Sequence, residues 1–411
     1  MVRDRWIECP ITDVLLPNGI KIGPFGSQLK KETLIPYGQY KVYGQENVYE
    51  KDFSIGDRYL EKEHFDKLSS CEIVPGDFVM STMGTIGKCA IVPKGINKGI
   101  MDSHLVRLRF DTKKILPEYL LHLFSDDFTY LKQQTSRLSV GGIMDGLSVG
   151  IVSSLEVSFP ESKEEQLKIV NILSETDELI ETLEREILKK RNIKIGTIQN
   201  LLSGKHRLSG FDKRWNQDLL KDVTVKIGVG LATSVTKYYR SNGTVIFRNL
   251  NIKENYLDDS DILFLDEDFA AANPGKIIHT GDVITVHTGY VGTSCVVPPK
   301  YDGALTFTTL ITTTKKDLLL PEYLSYHLNS IFGKNEIENL QAGCGRNNLN
   351  VGDFKQYKIS YPSDLDEQKQ IVEILSSIDA ELRCLEDKLR KTQQVKQGMM
   401  NDLLTGKIRL V

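Results

Sequence analysis

Hydrophobic positions recur in two long stretches of this chain at alternating three- and four-residue steps. In the later one they are Leu375, Ile378, Leu382, Leu385, Leu389, Thr392, Lys396, Met399 and Leu403. The earlier one gives Leu173, Thr176, Ile180, Leu183, Ile187, Lys190, Lys194, Thr197 and Leu201. That spacing is a heptad seam, the pattern by which one helix zips onto another. Polar residues interrupt both seams late, which weakens the stripe and can fix register. A helix of about 40 residues spans roughly 60 Å at 1.5 Å per residue. Gly204 and Gly406 follow the apolar runs, where a left-handed cap is wanted, and Pro160 and Pro362 precede acidic first turns.

The two stretches are copies. Glu165-Gln166 matches Glu367-Gln368, Ile169-Val170 matches Ile371-Val372, and Leu201 to Lys205 matches Leu403 to Lys407, all at one offset of 202 residues. A lone amphipathic helix of this length cannot bury its stripe, so the pattern predicts that the copies pair. The expected arrangement is an antiparallel coiled coil with pseudo-twofold symmetry.

The repetition continues upstream. Lys21 to Gly26 corresponds to Lys226 to Gly230, and Tyr40 to Val48 to Thr244 to Ile252; both members of the second pair read as strands from their β-branched and aromatic content. The sharpest match is Val74 to Pro93 against His279 to Pro298. Each contains Gly-Asp, a short apolar strand, two glycines three apart (Gly84 and Gly87, Gly289 and Gly292), then a second strand. This predicts a hairpin with a glycine-bearing tip. Pro117-Glu118-Tyr119-Leu120 and Pro321-Glu322-Tyr323-Leu324 open helices with proline in the first turn. Gly141 to Asp145 and Gly343 to Asn347 read as loops before a last strand. The expected organisation is therefore a mixed α/β (α+β) fold in internal repeat: a domain over 1–160, a helix over 161–208, a second domain over 209–362 and a helix over 363–411.

Composition narrows the function. With 40% hydrophobic and 26% charged residues over 411 positions, the chain reads as soluble and globular with two or three domains. A net charge of −3 leaves no global nucleic-acid footprint, so any DNA-binding face must come from local placement of Lys and Arg. Six scattered cysteines without a CxxC pair argue against a zinc site and a disulfide framework, and fit a reducing cytosol. No apolar run approaches a membrane span, and the start reads as no signal peptide, so the expected location is the cytoplasm.

The repeat, the hairpin with its Gly-Thr-Ile-Gly tip, the Pro-Glu-Tyr-Leu openings, and the Glu-Gln helices ending in Leu-Leu-Ser/Thr-Gly-Lys resemble the specificity subunit of type I restriction–modification enzymes. The resemblance covers essentially the whole chain. It implies two target-recognition domains, each reading half of a split, asymmetric double-stranded DNA site, and repeat helices that set the spacing and bind two methyltransferase subunits. Restriction/translocase subunits are optional further partners. S-adenosylmethionine, ATP and Mg would sit on partners, with no cofactor or metal in this chain.

The residues themselves agree that catalysis lies elsewhere. Asn273-Pro274-Gly275 and Val297-Pro298-Pro299-Lys300 both fail the (Asp/Asn)-Pro-Pro-aromatic pattern of amino-methyltransferases. Gly141 to Gly146 is followed by Leu147, not the lysine of a phosphate-binding loop. Glu367-Gln368-Lys369 has a nuclease-like form but falls in a helix start, and no histidine pair has metal spacing. A self-sufficient methyltransferase or nuclease, and a pure coiled-coil assembly protein, are the weaker alternatives.

Base reading needs donors and acceptors on loops of a rigid scaffold. The candidates in the first domain are Lys41, Gln45, Asn47, Thr82, Met83, Thr85 and Lys88. Those in the second are Arg248, Asn249, Asn251, His287, Thr288 and Tyr290. Arg137 and Arg346 are phosphate candidates from the late loops. For the three asparagines a capping or turn role competes with base contact. The domains are expected to address major-groove faces about one helical turn, 34–36 Å, apart.

Overall fold

The computed structural model describes residues 6–26, 28–138, 146–342 and 348–410. The chain forms two compact units, one of Met1–Glu184 with Asp387–Val411 and the other of Arg185–Glu386. Both boundaries fall inside long helices, Lys163–Leu202 and Leu365–Leu403, so each unit holds a piece of both.

The first unit is built on an antiparallel sheet ordered Leu15–Ile22, Leu105–Phe110, Phe78–Ser81, Cys89–Ile91. A second sheet runs Tyr59–Leu60, Tyr40–Tyr43, Gly99–Met101, Glu72–Ile73, with its central pair parallel. Trp6–Pro10 pairs with Glu156–Pro160. Side-chain alternation explains the layering: Phe78 and Met80 enter the core that includes Ile169 and Leu173 of the central helix, whereas Val79 enters another with Val42, Phe65 and Ile100. A strand buried on both faces reads as a continuous apolar run, which is what Phe78 to Met80 is.

The second unit repeats the plan. Its main sheet is Thr224–Val229, Thr309–Thr314, Val283–Val286, Ser294–Val296, and its smaller sheet contains Leu263–Leu265, Thr244–Phe247 and Leu305–Thr306. One difference is energetic. Thr312 stands where the first unit has Leu108, each facing the hairpin strand across the ladder, at Val283 and Phe78. It is fully buried, and its hydroxyl meets no hydrogen-bond partner among the described residues. Thr312→Val keeps the shape and removes the orphaned hydroxyl, so we expect the second unit to gain about 1–2 kcal/mol. Urea unfolding checks this, and a lowered midpoint would refute it.

Within each unit the helix pieces run antiparallel and are tied by one repeated device. Gln166 donates to the carbonyls of Pro160 (2.8 Å) and Lys114 (3.0 Å) and accepts from the Leu116 amide (2.8 Å). Gln368 does the same with Pro362, Leu318 and Leu320. The neighbouring glutamate faces the other way. Arg409 donates to both oxygens of Glu165 at 2.7 and 2.6 Å in the first unit, and Arg207 to both oxygens of Glu367 at 2.6 Å in the second. The repeated Glu-Gln is thus a two-sided staple: glutamine fastens a helix start to its domain, and glutamate holds the segment that follows the end of the antiparallel helix. The late seam lysines are satisfied as well, Lys396 by Asp177 (2.7 Å) and Lys194 by Asp379 (2.6 Å). The cap glycines are left-handed, Gly204 at φ +68° and Gly406 at +71°.

The strands expected over Tyr40–Val48 and Thr244–Ile252 are a partial misreading. Each stops after four residues and turns into a helical segment, Gln45–Tyr49 or Asn249–Asn251. The side chains of Asn47 and Asn251 drive the turn by accepting from the amides of Gly44 and Arg248, each at 2.9 Å.

Candidate nucleic-acid interface

Each unit projects a hairpin tip, Thr82–Lys88 in the first and His287–Thr293 in the second. The two tips are equivalent in their anchoring: the Leu147 amide donates to the Thr82 carbonyl (2.8 Å) and the Leu349 amide to that of His287 (3.0 Å). The second glycine of each tip is required. Gly87 (φ +82°) and Gly292 (φ +91°) hold left-handed backbone that strains any other residue, and a Cβ there would also push on the terminal methyls of Leu131 and Ile337. Hydroxyls brace the tips from behind. Ser81 donates to the Thr85 carbonyl (2.6 Å), and Ser294 to that of Gly292 (2.8 Å).

Beside each tip lies the short helical turn. In the first unit the Tyr49 hydroxyl accepts from the Thr85 amide and lies 3.0 Å from the Gln45 side-chain oxygen. In the second, Asn249 donates directly to the Thr288 carbonyl at 3.1 Å. The turns themselves are held alike. Asn47 donates to the carbonyls of Asp52 and Ile55, and Asn251 to those of Asp258 and Asp261. Ser54 on Asp52 and Ser260 on Asp258 then form the same side-chain turn.

This geometry sorts the candidates. Gln45, Met83 and Thr85 gather at the first tip, Asn249, His287, Thr288 and Tyr290 at the second, and Arg248 lies in the adjoining turn, where it pairs with Asp261. Met83 is 40% and Tyr290 90% exposed. His287 is half-buried, and desolvation lowers its pKa, which favours the neutral ring. Four candidates are buried, and a fifth, Lys88, is engaged in an ion pair. Lys41 is 1% exposed, with its ammonium donating to the carbonyls of Ser54 (2.6 Å) and Phe53 (3.2 Å), and burial lowers its pKa. Asn47 and Asn251 are buried and spent on their turns. Thr82 is buried, with its backbone bonded to His104 and Leu147. Lys88 is part-exposed and pairs with Asp126. Arg346, the side chain of Arg137, and the loops 141–145 and 343–347 lie outside the described residues.

Tyr49 and Arg58, which hold the first tip and its adjoining turn, were not among the sequence candidates. Arg58 donates to Glu46 (2.6 Å) and Asp102 (2.9 Å) beside Gly44. Tyr49 could have been found as the residue one helical turn after Gln45, had the turn been foreseen. Among the described residues no cluster of three or more His, Cys, Asp or Glu converges as a metal site, and no helix is long and apolar enough to cross a membrane.

The type I restriction modification DNA specificity domain matches this sequence twice, over residues 22–190 and 212–396. The chain belongs to that family. Members of the specificity family are non-catalytic DNA-recognition subunits, in keeping with the failed methyltransferase and phosphate-loop patterns. Among the family's curated members, the type I restriction enzyme MjaVIII specificity subunit of Methanocaldococcus jannaschii is 25% identical over 332 residues, 76% of this chain and 75% of that one. A putative MjaX specificity subunit of the same organism is 24% identical over 370 residues, 86% and 83% of the two chains. The fold is that of the type I system S subunit from M. genitalium, with a TM-score of 0.61 at 15% identity over 97% of this chain and 96% of that one. A chain from a study of type I complex assembly and conformational transition gives 0.51 at 16% identity, covering 98% of each.

Proposed function

We propose that this specificity-family chain reads a bipartite, asymmetric double-stranded DNA site, one half per recognition domain (1–160 and 209–362). The helical segments 161–208 and 363–411 dock two methyltransferase subunits, with restriction/translocase subunits able to join. The chain directs adenine methylation or cleavage in the cytoplasm, and the partners bring S-adenosylmethionine, ATP and Mg. The observation that carries this reading is the contrast inside the repeat. The main-chain bond that anchors each tip is the same, from Leu147 to Thr82 and from Leu349 to His287, while the exposed groups differ: Met83 and Thr85 on one, Thr288 and Tyr290 on the other. Like scaffolds with unlike tips suit two half-sites of different sequence. Exposed Leu188 (61%) and Ile193 (45%) on the central helix suit a protein partner.

The test is co-expression with a methyltransferase subunit encoded beside this chain, followed by mapping of methylated adenines in the host DNA. A split asymmetric motif that requires both chains is the expected result. Methylation independent of this chain, or none despite a stable complex, would overturn the reading.

A further inference from the structure

The two turns beside the tips differ at one position in a way that the repeat makes informative. Gly44 and Arg248 are equivalent, because each amide donates to the capping asparagine three residues on. At Gly44 the missing side chain makes room: a Cβ there would lie 2.2 Å from Arg58 Nη2 and 2.8 Å from an Asp102 carboxylate oxygen. Arg58 therefore reaches from the far side of the loop into the space beside position 44. In the second unit Arg248 starts at that position and reaches the opposite way, to the Asp261 carboxylate (2.7 Å) and carbonyl (3.0 Å). Asp261 is the residue whose carbonyl the capping Asn251 also holds, the part that Ile55 plays for Asn47. Each unit thus spans the same gap with a guanidinium, supplied from opposite banks of the loop.

Carboxylates fix each guanidinium's orientation, Glu46 and Asp102 for Arg58 and Asp261 for Arg248, and each side chain keeps part of its surface exposed. The side chains of Arg58 and Arg248 are 31% and 25% exposed. Gln45 and Asn249, the next residue along each turn, touch the hairpin tip. A planar, buttressed donor beside a glycine tip suits the O6 and N7 acceptors of guanine in the major groove, and orientation by a carboxylate reduces the rotamer freedom lost on contact. Lysine does not reproduce that forked geometry.

We propose that Arg58 and Arg248 are the matched base-reading arginines of the two units, each contacting a guanine in its own half-site. The inference rests on the DNA-reading function proposed above. The competing role, a strut that only holds the loop, makes a different prediction. The experiment is adenine-methylation mapping with the wild-type complex and with Arg58→Gln, Arg58→Lys and Arg248→Gln, alongside thermal unfolding of each chain. If the wild type directs no methylation, the parent reading fails. If it does, Arg58→Gln should relax one guanine position of one half-site, raising methylation of mismatched sites relative to matched ones by about five- to a hundredfold. Arg58→Lys should not restore discrimination, and Arg248→Gln should relax the other half only. An unchanged motif in these variants overturns the proposal. So does uniform loss of methylation across both halves, with or without a lowered melting temperature, because that is the signature of a strut.

Discussion

Arg409→Ala is expected to destabilise the first unit by about 3–5 kcal/mol, because it strands a buried carboxylate. The side chain of Glu165 is 3% exposed, and Arg409 supplies a bidentate pair to it, with the Leu410 amide as a further donor at 3.1 Å. Chemical unfolding of the purified chain, followed by hydrogen exchange in 6–184, gives the measurement. Arg409→Lys should fall between, since it keeps the charge and loses the fork. Hydrogen bonds from Arg409 hold the Glu165 carboxyl below its usual range. A depressed folded-state pKa contributes stability that is present above the unfolded value and lost as pH falls through the folded one. The gap between wild type and Arg409→Ala should therefore narrow on acidification below the ordinary glutamate range. Equal unfolding midpoints at neutral pH would show that the pair holds nothing.

Gly23→Ala should be comparably damaging for a purely steric reason. A Cβ at Gly23 would lie 1.7 Å from the Asp102 carbonyl oxygen and 2.3 Å from its carbon. Backbone cannot swing aside as a flexible side chain can, and Asp102 is fixed by the Tyr43 carbonyl and by Arg58. We expect a loss of about 3 kcal/mol or more, at the upper end for overpacking. Gly26→Ala is the control, since nothing lies within 4 Å of a Cβ there, and its effect should stay within about 0.5 kcal/mol. Similar behaviour of the two variants would refute the close approach.

These glycines show what the sequence made legible and what it hid. Both belong to Lys21 to Gly26, which the repeat marks as shared, yet only the fold distinguishes Gly23, pressed on the backbone of the distant turn at Asp102, from Gly26 in open space. The long helices, the hairpins and the Pro-Glu-Tyr-Leu helices were readable because periodicity and turn chemistry are local. Lys41 was misjudged because its burial is set by carbonyls 12 and 13 residues away that no pattern in its own strand reveals. Asn47 and Asn251 followed the turn-forming alternative. Arg58 escaped notice because its role depends on a space at Gly44, and the absence of a side chain signals nothing until a repeat places Arg248 opposite it.

The division of the chain has a consequence for biosynthesis. The second unit is one continuous stretch, whereas the first takes Asp387–Val411 from the far end. Its closing bond, Arg409 to Glu165, joins residues 244 apart, and Met400, Leu403 and Leu404 complete the core around Ile169 and Leu173. At about 5–20 residues per second, roughly 10–40 s pass between translation of Glu184 and of Asp387. Throughout that interval the first domain waits with its apolar helix face uncovered, while the second can finish folding. The half that is made first is therefore the half that matures last, and it is the one that depends most on protection from aggregation in the nascent chain.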